Sequence, residues 1–331
     1  MAFTLALLVG AAVTIYFSCE FFVNGVEWLG RRFAITETAT GTILAAIGTA
    51  LPESVVTFVA VAFGTSNAER DIGVGAAVGG PLVLSTLAYG IAGLALLGAV
   101  RPKSRRRQIL DLDYRRIGRD QSRFLVIFLG GFALGLFSFP HKSWLGVLFL
   151  GAYALYASHE LRGQGRVSDA DDLAPLKIRP KDSDPSLFWV ALQTIAALAI
   201  IFAASRLFVA QLDRVGPWLD MAPQRVAVLF SPIATEMPEV MNAIIWIRQG
   251  KANLALANIS GAMMIQATVP SAFGLFGTPW RFDRPLIIAA GVTVLAIIVL
   301  LLMFRGGRVT GARLAGASLF YLLFLGALFL G

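Results

Sequence analysis

Two short runs place oxygen-bearing side chains inside otherwise apolar sequence. Ile47-Gly48-Thr49-Ala50-Leu51-Pro52-Glu53 is echoed by Ile233-Ala234-Thr235-Glu236-Met237-Pro238-Glu239, with isoleucine, threonine, proline and glutamate all displaced by 186 residues. A proline inside a helix removes one backbone hydrogen bond and crowds the preceding turn, so a kink or break is expected at Pro52 and at Pro238. The carbonyls freed there, the hydroxyls of Thr49 and Thr235 one turn upstream, and the carboxylates of Glu53, Glu236 and Glu239 are hard oxygen ligands, suited to calcium, magnesium or sodium. An ionised carboxylate in mid-membrane costs about 2.5–3.5 kcal/mol. A bound cation would offset that cost, and protons would do so when the site is empty, which is the chemistry of exchange. The plainer alternative is that these acids pair with Arg206 or with backbone and serve packing alone.

The elements that must hold these residues are membrane helices. Of 331 residues, 57% are hydrophobic and only 15% charged, more apolar surface than a soluble core can bury. The apolar runs predict an all-α integral membrane protein with ten spans, roughly 2–24, 38–64, 72–99, 123–139, 143–159, 186–212, 223–247, 252–276, 285–304 and 312–330. With both termini outside, 21 of the 28 Lys and Arg residues fall in inside loops and six in outside connections, as the positive-inside rule requires. Arg101 to Arg123 then forms a basic cytoplasmic loop, a topological anchor drawn to anionic headgroups. The apolar start, Ala2 to Val23, lacks a basic lead and a small-residue cleavage site, and is expected to be a retained first helix.

Five spans lie on each side of the segment Glu160 to Asp184, a mixed-charge, proline-bearing stretch expected to be a flexible linker. The division is 1–160, a cytoplasmic linker 161–185, and 186–331. Phe22-Val23 recurs as Phe208-Val209 at the same offset, and Glu20 falls opposite Arg206, as a compensating pair, a means of tuning the site or simple helix packing. Five being odd, the second half must enter the membrane from the other side. That makes two inverted five-helix repeats, an arrangement of secondary transporters that bind substrate near the midplane.

Other chemistries find little support. The net charge of +8 sits in loops, so no nucleic-acid partner is expected; the partners are cations and the lipid bilayer. A single cysteine, Cys19, permits no disulfide framework within the chain. His141 and His159 at span ends are interfacial rather than metal ligands. There is no His-Glu-x-x-His pattern, Gly-x-Ser-x-Gly elbow or phosphate loop, so no catalytic residue is expected. The helices after each motif are rich in small residues, Gly73, Gly75, Gly79 and Gly80 in one half and Ala257, Ser260, Gly261 and Ala262 in the other, which lets backbones approach closely. Asn258 and Gln266 add amide oxygens in the second half; Asn258 is taken as the better ligand, with Ser85 and Thr86 as weaker counterparts in the first.

Gly48-Thr49-Ala50-Leu51-Pro52-Glu53, Ala234-Thr235-Glu236-Met237-Pro238-Glu239 and the stretch Leu254 to Gly261 resemble the two alpha repeats of the calcium/cation antiporter superfamily, nearest its sodium/calcium exchanger branch. The resemblance implies a ten-helix inverted-repeat fold that exchanges calcium against sodium or protons by alternating access, without a cofactor. It implies Glu53 and Glu239 as central ligands helped by Thr49 and Thr235, with Asn258 at an amide position that is Ala76 in the first half. The sequence departs from the family where Ala50 and Glu236 replace the usual serine, and where a later polar site falls on Pro81 and Met263. Three acids and few neutral oxygens favour a divalent ion or a protonated resting state, and leave open a proton-coupled exchanger for magnesium or manganese.

Overall fold

The computed structural model describes residues 2–63, 67–99, 112–162, 173–213, 232, 235–307 and 309–330, and within these the chain is helical with no strand. Its helices are α1 (Ala2–Arg32), α2 (Glu37–Ala39), α3 (Ala46–Phe63), α4 (Asn67–Val83), α5 (Tyr89–Ala99), α6 (Tyr114–Leu136), α7 (Gly146–Leu161), α8 (Leu187–Asp213), α9 (Met237–Arg248), α10 (Ala252–Gly277), α11 (Arg284–Arg305), α12 (Gly311–Ala315) and α13 (Ser318–Leu330). Six helices among the described residues are long and apolar enough to cross a membrane. Exposed Phe3, Val9, Phe17, Leu94, Ile195, Leu302 and Leu322 clothe their outer faces, as a protein solvated by lipid requires.

Among the described membrane-length helices the most enclosed is α10, which is rich in small residues. A Cβ on Gly261 would lie 2.7 Å from the Thr42 Cα, and one on Gly41 would lie 3.0 Å from the Leu254 carbonyl oxygen. These two glycines allow α10 and the segment Thr40–Ala45 to approach backbone to backbone. At its far end, Gly277 rests on Val61 of α3, so α3 and α10 run side by side in the same direction. In contrast, α9 turns back into α10 through Gly250 and Lys251, with the Lys251 amide donating to the Trp246 carbonyl at 2.8 Å. The two motif helices, α3 and α9, therefore run in opposite directions.

The expected break at Pro52 is not where the irregularity lies. α3 continues through Pro52, and the distortion is a wide π turn over Thr40–Ala45, about two to three turns upstream. Pro52 removes only the N–H that would serve Gly48, and an otherwise apolar helix packed on its neighbours tolerates that single loss. In the second half, residues 214–231, 233 and 234 lie outside the described residues, and the chain is seen only from Pro232 and Thr235 onward. Glu236 sits in a turn with φ −84° and ψ 0°, and Pro238 lies in the first turn of α9, where a missing N–H leaves no bond broken.

The linker from Leu173 onward is not flexible either. Leu176 is fully buried, and the Asn24 amide and the Trp28 indole both donate to the Ala174 carbonyl, at 3.2 and 3.0 Å. Asn24 Oδ1 accepts from the Lys177 amide at 3.1 Å and from Gln193 Nε2 at 2.9 Å. At the chain's return into α8, Asp184 pairs with Arg31 and Arg32 at 2.6 and 2.9 Å, and the Arg31 hydrogen bond holds its carboxyl below the usual carboxylate range. Pro175, Pro180 and Pro185, which suggested a linker, instead lie in a strap of successive turns over α1 and α8, with the Arg179 amide donating to the Leu176 carbonyl at 2.8 Å and the Asp182 amide to the Arg179 carbonyl at 3.1 Å. Within this strap Lys177 reaches Glu20 at 2.9 Å; Arg206, expected opposite Glu20, lies with its guanidinium 5.4 Å from the Phe202 ring centre.

Candidate cation site

On α3, Thr49 is buried, and its hydroxyl donates back to the Ala45 carbonyl at 3.0 Å. That bond ties it to the π turn, leaving its oxygen lone pairs available. Glu53 lies one turn further along the same helix; its side chain, with that of Pro52, falls outside the described residues. Beyond it, Ser54 and Thr57 are buried, and neither hydroxyl has a partner among the described residues.

The second motif is better defined. Thr235 is half-buried and donates to the Pro232 carbonyl at 3.3 Å. Glu236 and Glu239 are each only 1% exposed, two carboxylates enclosed in a core of apolar side chains. Gln266 of α10 donates its amide to Glu236 Oε1. Gly80 of α4 closes over that pair, since a Cβ there would meet the Gln266 side chain and lie 2.9 Å from Glu236 Oε1. The neighbouring Gly79 packs on Pro232 in the same way, its Cβ position 2.6 Å from the ring. Cys19 of α1 lies level with the motif, its sulfur 3.9 Å from the Pro238 carbonyl oxygen.

Asn258 is fully buried, and both its amide atoms lack a partner among the described residues. The same is true of Asn242, one turn past Glu239, and of the Gln266 carbonyl oxygen. The structure thus joins Glu236 directly to Gln266, where sequence reasoning preferred Asn258. It also adds Ser54, Thr57 and Asn242, for which the available signal was spacing: each follows a motif glutamate by one residue or one turn. Among the described residues no three His, Cys, Asp or Glu side chains gather as a closed metal cage. The oxygen-bearing groups around the second motif are carboxylates with hydroxyl and amide groups between packed helices, of the kind that hard cations accept. Ser85 and Thr86, the weaker candidates, donate their hydroxyls to the Leu82 carbonyl at 3.1 and 2.6 Å and serve the π turn Leu84–Ala88. His159 lies at the surface and His141 in a left-handed turn, both at helix ends.

A family model described as sodium/calcium exchanger protein matches residues 3–161 and 189–330. This chain belongs to that family. It is accordingly a multi-pass membrane transporter that exchanges cations, and not an enzyme. It is 26% identical to the inner membrane protein YrbG of Escherichia coli, over 98% of this chain and 97% of that protein. It is also 26% identical to the putative antiporter CaxA of Alkalimonas amylolytica, over 98% and 96%. Among solved structures the fold matches the sodium-calcium exchanger NCX_Mj soaked with Na+ and Sr2+, with a TM-score of 0.75 at 16% identity and 98% of both chains covered.

Proposed function

We propose that this exchanger carries calcium, or a similar divalent cation, against sodium or protons by alternating access, with the cation held by Thr49, Glu53, Thr235, Glu236, Glu239 and Asn258. The observation that carries the reading is the burial of Glu236 and Glu239 to 1% exposure beside buried amide groups. Two enclosed carboxylates need a cation or protons to compensate them, and alternation between the two is antiport. The proposed architecture is two inverted five-helix repeats with ten crossings, supported by the opposed directions of α3 and α9. The linker face is taken as cytoplasmic and both termini as outside, on the distribution of Lys and Arg. Release on either side then requires one packed bundle to rock against the other around the site.

Proton coupling, with magnesium or manganese as the cargo, is the second reading. It is favoured by Glu236, which stands where the family has a serine and accepts a hydrogen bond from Gln266. A carboxyl so enclosed can hold a proton through the empty half of the cycle.

Purified protein in liposomes separates these. Glu53→Gln and Glu239→Gln are each expected to abolish gradient-driven calcium uptake, and uptake undiminished in both would remove the site. An imposed sodium gradient that drives calcium uptake establishes sodium coupling and a pH gradient that does so establishes proton coupling; uptake of magnesium or manganese in preference to calcium, driven only by a pH gradient, establishes the second reading.

A further inference from the structure

Asn242 of α9 and Asn258 of α10 are both completely buried, and none of their four amide atoms has a hydrogen-bond partner among the described residues. Buried polar groups are almost always paired, and one that is not calls for a water, an ion or a functional role. Their placement is informative. α9 and α10 form a hairpin about Gly250, and the two asparagines stand eight residues before and after it. At about 1.5 Å per helical residue, both lie about 12 Å in from the turn, at one level. Glu239 is one turn deeper on α9.

On the other side, toward the linker face, a cavity of about 220 Å³ is lined by Glu37, Asp113, Asp120 and Arg116, with Leu254 and Ala257 of α10. Leu254 precedes Asn258 by one helical turn on the same face, and Ala257 adjoins it. The order from the surface inward is a cavity with three carboxylates, then two uncharged amides, then Glu239 and the Glu236–Gln266 pair. Amide oxygens hold hard cations without the charge that makes a carboxylate site slow to release, and passage is quickest through several sites of moderate strength.

We propose that Asn242 and Asn258 form a neutral, transient station for the transported cation, on the linker side of Glu239, which the cation reaches through the acidic cavity. The inference rests on the reading that Glu239 holds the cargo. It adds a second site, one that acts on access from a single face. If the two amides instead bonded only to one another, they would hold the hairpin together and affect both faces alike.

The test measures calcium exchange in everted and in right-side-out vesicles, so that each face is titrated separately. Asn242→Leu is expected to raise the half-saturating calcium concentration at the linker face by about tenfold, with the opposite face unchanged, and Asn242→Asp to lower it at the linker face. Half-saturation unchanged at the linker face, or raised equally at both, overturns the station. If Asn242→Leu loses all exchange, Asn242→Gln decides by the same criterion, since it retains an amide oxygen. Glu239→Gln in the same vesicles should abolish exchange from both faces. Its failure to do so would bring down the central site and the station together, whereas a null result for Asn242 alone leaves the central site standing.

Discussion

Gln266 is the side chain that bonds directly to a carboxylate of the proposed site. Its amide donates to Glu236, and Gly80 leaves just enough room for the pair. Removing one partner of a buried hydrogen bond leaves the other unsatisfied, at about 1–3 kcal/mol and more when it is charged. Gln266→Leu should therefore favour the protonated form of Glu236, and the pH at which divalent exchange reaches half its maximum should rise; an unmoved pH profile would detach Gln266 from the site. A different acid governs pH behaviour at the linker end. Asp120 lies before the apolar run of its helix begins; burial, then the neighbouring Glu160 carboxylate, pushes it up to about 7 despite Arg116, Arg123 and Arg119. Because its folded value lies above the unfolded one, its contribution is fully present below about pH 3.9 and is lost as pH rises through about 7. Asp120→Asn should then raise the melting temperature in detergent by a few degrees at pH 8, and by little at pH 5.

Among the elements, the contact of α10 with the π turn Thr40–Ala45 brings the second half's polar helix against the first half's motif. It depends on the absence of a side chain at residue 261, because a methyl group there would strike the Thr42 backbone, which cannot rotate away as a side chain can. Gly261→Ala is expected to push α10 from α3 and to reduce exchange by at least about tenfold, equivalent to about 1.4 kcal/mol, while the protein still inserts. Wild-type exchange would mean that the two backbones need not touch. The small-residue pattern on α10 made a close approach foreseeable, but not its partner. A run such as Ser260-Gly261-Ala262 says that something comes close; only the packed bundle says that it is Thr42.

For the molecule as a whole, the strap of residues 173–186 matters most, since it ties α1 to α8 at the linker face. Asn24 is its fastening point, accepting from Lys177 and Gln193 and donating to Ala174. Asn24→Ala should expose the strap to protease at least several-fold faster while leaving the helices intact by circular dichroism; an unchanged cleavage rate would show that the buried Leu176 suffices to hold it. A second fastening joins α1 to the α9–α10 hairpin, where Glu27 accepts from Trp246 at 2.8 Å and from Lys251 at 2.6 Å. Both lie at the end of the molecule through which the linker passes, so that end is braced while the far end is held by other contacts, among them the buried Lys142 ammonium donating to the Leu134, Phe137 and Trp280 carbonyls.

Apolar length, the displaced Thr, Pro and Glu residues and the loop positions of Lys and Arg determined that this is a helical membrane protein with a duplicated oxygen-rich motif. These are local quantities: hydrophobicity per span, residue type and spacing. What depended on tertiary structure was every pairing between distant segments. Glu20 meets Lys177 rather than Arg206, a proline-rich linker becomes a docked strap, and Gln266 rather than Asn258 bonds to Glu236. The helix carrying Pro52 remains continuous because packing compensates a single lost hydrogen bond. Burial, on which the proposed role of Glu236 and Glu239 as cation ligands rests, is a property of how the helices enclose them, and the linear chain does not contain it.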